Sequence, residues 1–215
     1  MTARVVRDDA AGRRLAVEVL RGGGIVGLPT DTVYGIAVSL ATPDGIERLY
    51  RAKGRPPDKA VVLLLDDAVQ AAHAGRITPA AAALAAACWP GGLTVVVPQR
   101  PDVRWPDVLT GGSLTIGLRV PDHPAPRALA RDVGPLPTTS ANRSGEPEAS
   151  DAAGIVAQLG DAIDLVLDGG PAPGGPASTI VDCSGALPTI VRVGAVPVET
   201  VAAVLADAGI DLSDG

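Results

Sequence analysis

The sequence predicts an α/β domain, a mixed and twisted sheet with helices packed against it. Three observations carry this. The 215-residue chain is 47% hydrophobic but has no Phe, two Trp and two Tyr, so its core is Val, Leu, Ile and Ala. That composition suits buried strands and closely packed helices. Short apolar runs such as AVVLLL at 60–65 read as buried strands. They mix with helical segments without a steady βαβ rhythm, an internal repeat or a shift in composition, so one domain over residues 1–215 is expected.

Taken in order, Asp8 or Asp9 caps a first helix to about Arg21. A strand follows at 25–28 and another at 35–39, with a polar turn between them. Thr42 as N-cap and Pro43 at the first helical position start a helix to about Lys53. Strand 60–65 precedes an Ala-rich helix from Thr78-Pro79 to Cys88 or Trp89, then the turn Pro90-Gly91-Gly92 and strand 93–98. Residues 100–112 read as loop anchored by Trp105, and 114–120 as a strand that carries Arg119 near its end. A short helix covers 124–131, a strand 136–139, and Ser150 caps a helix to about Leu159. Strands at 165–167, 178–182 and 189–193 precede a final helix from Pro197 to about Ala206, and 207–215 is a tail free to fray.

Charge and composition exclude several classes. With 24 acidic against 18 basic residues, net −6, broad binding to nucleic acid or a membrane surface is disfavoured. Few aromatics argue against a base-stacking reader. No apolar run approaches a membrane span, and the charged N-terminus shows no secretory signal. Cys88 and Cys183 match no metal spacing and read as small buried hydrophobes in a reducing compartment, so a cytoplasmic protein is expected. The glycines at 22, 24 and 27 spell G-x-G-x-x-G, but they end a helix and open a strand, the reverse of a dinucleotide fingerprint. No Gly-Lys dipeptide exists for a Walker A loop, no G-x-S-x-G elbow occurs, and His73 and His123 stand alone.

What remains is the stretch 24–59. It holds the turn Pro29-Thr30-Asp31-Thr32 followed by Tyr34, and five cations within twelve positions: Arg48, Arg51, Lys53, Arg55 and Lys59. Hydroxyls, a carboxylate and a local cationic cluster suit a pocket for a small polar anion. The same cations with Gly54 also suit a helix C-terminus and its cap. This inventory favours positioning and charge stabilisation over covalent catalysis.

Six motifs occur in register: PTDTVYG at 29–35, KGRPPDK at 53–59, WPGGLT at 89–94, LRVPDHP at 118–124, TSANRSGEP at 139–147 and STIVD at 178–182. Together they resemble the YrdC/Sua5/TsaC family, the threonylcarbamoyl-AMP synthases, over about residues 22–193. The resemblance implies a single YrdC-like domain whose sheet and flanking helices surround a concave cationic cavity. It implies a nucleotidyltransferase that makes threonylcarbamoyl-AMP and pyrophosphate from L-threonine, bicarbonate or CO2, and ATP with Mg²⁺. A separate transferase complex then modifies an adenosine of tRNA, and tRNA binding by this chain would be weak. No protein metal site is implied.

Carried over by motif, Thr32, Arg119 and Ser178 would hold threonine. Lys53 and Arg55 would carry catalysis at the nucleotide phosphates, assisted by Lys59, while Thr115, Ser140, Asn142 and Arg192 would contact the nucleotide. The sequence departs from the family pattern at Ala60 and Val193, where Pro is usual, and at Leu64, where His is usual. Two other readings stay open: a carbamoyl-AMP-forming carbamoyltransferase relative, though no Cys-rich run exists here, and a non-catalytic RNA-binding paralogue. Locally, Arg119 also suits an ion pair, Ser140 and Asn142 a turn, Thr179 a strand hydroxyl, and Tyr34 a core residue with a tethered hydroxyl.

Overall fold

Backbone pairing in the computed structural model, which describes residues 3–54 and 60–213, joins ten strands into one mixed sheet. The chain begins with β1 (Arg4–Arg7), α1 (Ala10–Arg21), β2 (Val26–Leu28) and β3 (Gly35–Ala37). It continues through α2 (Gly45–Lys53), β4 (Val62–Leu64), α3 (Ala68–Ala74), α4 (Pro79–Cys88) and β5 (Leu93–Pro98). Then come α5 (Asp107–Thr110), β6 (Thr115–Arg119), α6 (Pro124–Val133), β7 (Leu136–Ser140) and α7 (Ala152–Leu159). The last elements are β8 (Leu165–Asp168), β9 (Thr179–Asp182), β10 (Thr189–Arg192) and α8 (Val198–Asp207). Strand order is β1-β8-β2-β3-β7-β4-β6-β5-β9-β10. The pairs β1/β8, β2/β8, β4/β6 and β5/β9 are parallel and the other neighbours antiparallel, as a mixed sheet requires.

Local chemistry explains most element ends. Asp9 accepts from the N–H groups of Ala11 and Gly12, both at 2.9 Å, and starts α1. Thr78 caps α4 above Pro79 in the same way. Gly54 closes α2 in the left-handed region, φ 61°, which a Cβ would strain. Four details differ from the sequence expectation. The N-terminal RVVR is an edge strand, stabilised by β8 about 160 residues away, a pairing no local pattern reveals. Helix α3 and the short α5 lie in segments without a helical expectation. Helix α2 starts at Gly45, because residues 39–45 make two successive turns and Asp44 adopts φ 54° before the helix can begin. Asp151, one residue after the expected Ser150, caps α7 by accepting from Gly154 N–H at 2.7 Å.

Alternation along the strands sorts the core onto two faces. On one, Ile36, Val38, Leu63, Leu65, Val95 and Leu118 pack beneath α2, α3, α4, α7 and α8. On the other, Val26, Leu28, Ala37, Leu136 and Leu167 meet Leu20 of α1 and Leu129 of α6. Those two helices cover only part of that second face. Beyond Leu64, residues Val62, Thr94, Thr138 and Ile180 are the floor of a cavity. Gly35 belongs to the same floor, where a Cβ would come within 2.8 Å of the Thr138 methyl.

Trp105 anchors its loop as expected, its indole N–H donating to Ala74 O at 3.0 Å. Cys88 is half-buried and Cys183 buried, and neither forms a disulfide; burial pushes the Cys183 thiol up to about 12. No helix among the described residues is long and apolar enough to cross a membrane.

Candidate active site

The turn between β2 and β3 is built around Thr30. Its hydroxyl accepts from Thr32 N–H at 3.1 Å and donates to Val33 O at 2.7 Å. With that proton placed, the 3.2 Å contact between the two threonine hydroxyls has Thr32 as donor. The Thr32 oxygen in turn accepts from Arg119 Nη1 at 3.0 Å. Tyr34 is fully buried; its hydroxyl donates to Gly170 O at 2.6 Å and accepts from Gly169 N–H at 3.1 Å, tying this turn to the 169–175 loop. Its phenol is pushed up by that burial.

Arg119, the last residue of β6, is only 6% exposed. Nε donates to Gly91 O at 3.0 Å and Nη2 to Asp31 Oδ1 at 2.6 Å. The 89–93 turn is held for this role by Trp89 Nε1 on Leu93 O at 2.7 Å and Gly91 N–H on Val120 O at 2.9 Å. Burial pulls the guanidinium below its ordinary value, the Asp31 carboxylate opposes that shift, and the Arg192 charge adds to it.

Across the cavity, Ser178 is 4% exposed and its hydroxyl meets Thr94 Oγ1 at 2.9 Å. Arg192 donates from Nη2 to Ser178 Oγ at 3.1 Å and from Nε and Nη2 to Ser178 O at 3.0 and 2.8 Å. Thr179 beside it is purely structural: its hydroxyl donates to Val196 O and accepts from the N–H groups of Gly194 and Val196. Thr32, Arg119, Ser178 and Arg192 thus line one cavity of about 170 Å³, with Ser140 and Glu148 on its wall.

A second polar cluster lies behind that wall. Lys53, 4% exposed, donates to Ser140 O, to Ser140 Oγ at 3.2 Å and to Asn142 Oδ1 at 2.8 Å. Ser140 Oγ donates to the same Asn142 oxygen at 2.6 Å. The Asn142 amide donates to Arg143 O at 3.0 Å and Glu146 O at 2.6 Å, which fixes the 140–149 loop.

The structure therefore gathers Thr32, Arg119, Ser178, Arg192 and Ser140 at the cavity and places Lys53 and Asn142 just behind it. Thr115 shares the Arg119 face of β6 but sits at the strand's other end, hydrogen-bonded to Ser113 at 2.7 Å and outside the cavity lining. Arg55 and Lys59 lie outside the described residues. Leu64 lines the cavity in register with Arg119, so the floor beside the guanidinium is apolar; Ala60 lines it too. Sequence reasoning did not single out Thr94 or Glu148, and it did not connect Asp31 to Arg119, 88 positions away. Only the presence of Asp31 in the turn hinted at its part. Among the described residues no group of three or more His, Cys, Asp or Glu side chains is placed to hold a metal ion.

Residues 18–194 match the profile of the Sua5/YciO/YrdC family, which carries the description "Telomere recombination". The threonylcarbamoyl-AMP synthase of Bacillus subtilis is 36% identical over 203 residues, 93% of this chain and 58% of the relative. The crystal structure of Pyrococcus abyssi Sua5 complexed with L-threonine superposes with a TM-score of 0.87 at 30% identity, covering 99% of this chain and 62% of that one. Escherichia coli YciO superposes at 0.82 with 28% identity, covering 93% and 99%. This chain thus spans about three-fifths of the length of the first two relatives. With 177 consecutive residues matched (194 − 18 + 1) and the fold shared, the chain belongs to the Sua5/YciO/YrdC family.

Proposed function

We propose that this chain is an L-threonylcarbamoyladenylate synthase. It would join L-threonine, bicarbonate or CO2, and ATP as its Mg²⁺ complex into threonylcarbamoyl-AMP and pyrophosphate, for the modification of tRNA adenosine by a downstream transferase complex. The observation that carries this is the convergence of Thr32, Arg119 and Ser178, 146 positions apart at the extremes (178 − 32), on one small cavity. Such a set suits an amino acid: a guanidinium for the carboxylate, hydroxyls for the polar remainder. The relatives named as synthases and the Sua5 structure bearing L-threonine support it.

In this reading the threonine amine adds to CO2 to give a carbamate, losing a proton. A carbamate oxygen then attacks the α-phosphorus in line and pyrophosphate leaves. No side chain forms a bond to substrate. Arg119, Thr32 and Ser178 hold the carboxylate end, and Arg192 steadies Ser178. Arg55 and Lys59 serve the phosphates, Lys53 braces Ser140 and Asn142 from behind, and these two with Thr115 shape the nucleotide side. Cations beside the reacting phosphate offset the charge that develops there.

The test is an incubation with ATP, Mg²⁺, bicarbonate and threonine, following pyrophosphate and the adenylate by mass. Product that needs both bicarbonate and threonine is expected. Turnover with carbamoyl phosphate but not with threonine would move the chain to the carbamoyltransferase reading.

A further inference from the structure

Asp31 lies outside the cavity lining, yet it holds the cation that dominates it. Its side chain is 15% exposed and that of Arg119 7%, and the contact is 2.6 Å. Of the five guanidinium N–H donors, Nε is fixed by Gly91 O, one on Nη1 by Thr32 and one on Nη2 by Asp31. That leaves one N–H on each terminal nitrogen without a partner among the described residues, two donors available to a carboxylate. The three fixed contacts come from two separate segments, the 89–93 turn at Nε and the Asp31-Thr32 turn at the two terminal nitrogens, so the fork is held from both ends. Gly91 O is a neutral acceptor, and the Thr32 hydroxyl is itself held by Thr30. Among the described residues, Asp31 supplies the charge that opposes the burial of Arg119, with Arg192 adding like charge from across the cavity.

We infer that Asp31 is a positioning residue for the amino-acid substrate: it turns the Arg119 fork so that one N–H of each terminal nitrogen faces the incoming carboxylate. Asp31 does not touch substrate. It neutralises the guanidinium, so recognition at this end rests on the direction of two hydrogen bonds more than on net charge. This inference rests on the synthase reading for the identity of the substrate, but the orientation of Arg119 can be observed without it.

The experiment compares wild type with Asp31→Asn and Asp31→Glu in two readouts. In arginine side-chain ¹H–¹⁵N spectra, wild-type Arg119 should give separate, slowly exchanging Nη signals, assigned by their loss in Arg119→Lys. Asp31→Asn should collapse them, and Asp31→Glu should keep them at shifted positions. In the pyrophosphate assay, Asp31→Asn should raise the KM for threonine on the order of 10- to 100-fold, as expected for the loss of a charged hydrogen bond. The KM for ATP should stay within about twofold, and Asp31→Glu should recover part of the loss. Unchanged Arg119 signals with an unchanged threonine KM overturn the inference, as does a KM for ATP that rises in step with that for threonine. If Asp31→Asn does not fold, Asp31→Glu decides: threonine KM and Arg119 signals both at wild-type values overturn it. A wild-type protein that releases no pyrophosphate refutes the synthase reading, and the Arg119 signals then settle the positioning claim alone.

Discussion

Arg119 and Lys53 are both buried cations, 6% and 4% exposed, Arg119 lining the cavity and Lys53 lying just behind its wall. Their surroundings differ in kind. Arg119 faces a carboxylate, a hydroxyl and a carbonyl from two segments, and still has an N–H on each terminal nitrogen without a partner among the described residues. Among its contacts, Lys53 meets two oxygens of Ser140 and one of Asn142, at the end of β7 and the start of the loop that follows. One cation is arranged around a space; the other is arranged around the protein. The comparison teaches that burial and charge do not by themselves mark a ligand contact. The donors left over do.

The largest effect that would sharpen this contrast is at Arg119. Arg119→Ala should lower kcat/KM for threonine on the order of 10²–10³-fold, and it also leaves the half-buried Asp31 without its ion-pair partner. Arg119→Lys should recover little, since it keeps the charge and loses the fork. Threonine titrations at saturating ATP are the check, and an Arg119→Lys enzyme close to wild type would break the comparison.

At Lys53 the expected effect moves from recognition to stability. Lys53→Ala removes the ammonium that ties α2 to the 140–149 loop and takes one charged donor each from Ser140 O, Ser140 Oγ and Asn142 Oδ1. That should cost about 1–3 kcal/mol in a urea titration. A lysine whose only role is at a phosphate would leave the urea midpoint in place while turnover fell. Arg48→Ala, one turn back on the exposed side of α2, is the control. Arg48 donates to Gly23 O and lies 3.6 Å from Asp164 with its side chain 40% exposed, so its loss should cost no more than about 1 kcal/mol and leave activity intact.

The same contrast shows what the sequence could and could not convey. Local chemistry was legible: Asp9, Thr78 and Gly54 as caps, the strands at 60–65 and 93–98, and the turn carrying Thr32. The six motifs in register made the family legible too, because each had fixed residues at fixed spacing. Pairings across the chain were not. Arg4–Arg7 reads as a charged tail until β8 supplies its partner, and Asp31 reads as a turn residue until Arg119 arrives from 88 positions away. Lys53 was legible as a cation near a helix end, but nothing local indicated that its protons would be taken by Ser140 and Asn142.

The smallest expected effect concerns acid, and it separates the two regions by their neighbours. His123 caps α6 with Nδ1 accepting from Ala125 N–H at 3.2 Å, so the neutral ring carries its proton on Nε2. Burial lowers its pKa from the ordinary 6.5, against opposing pulls from Asp8, Asp31 and Asp122, and with Arg13 adding to the shift. Its surroundings therefore include the carboxylate that holds Arg119. Below pH 6.5 the unfolded chain takes up a proton at this ring before the folded protein does, so stability should fall as pH drops from 6.5 toward the lower folded value. Above 6.5 both states are neutral and the contribution is fully present. His123→Asn keeps an N-cap acceptor and removes the titration. Urea midpoints measured at about pH 7.5 and about pH 5.5 should therefore differ less in His123→Asn than in wild type. The same difference should persist unchanged in Lys53→Ala, whose cluster is held by an amide and a hydroxyl. An equal acid response in His123→Asn and wild type would show that the imidazole is not the titrating group, and the Arg119 side of the cavity would lose its distinction in pH.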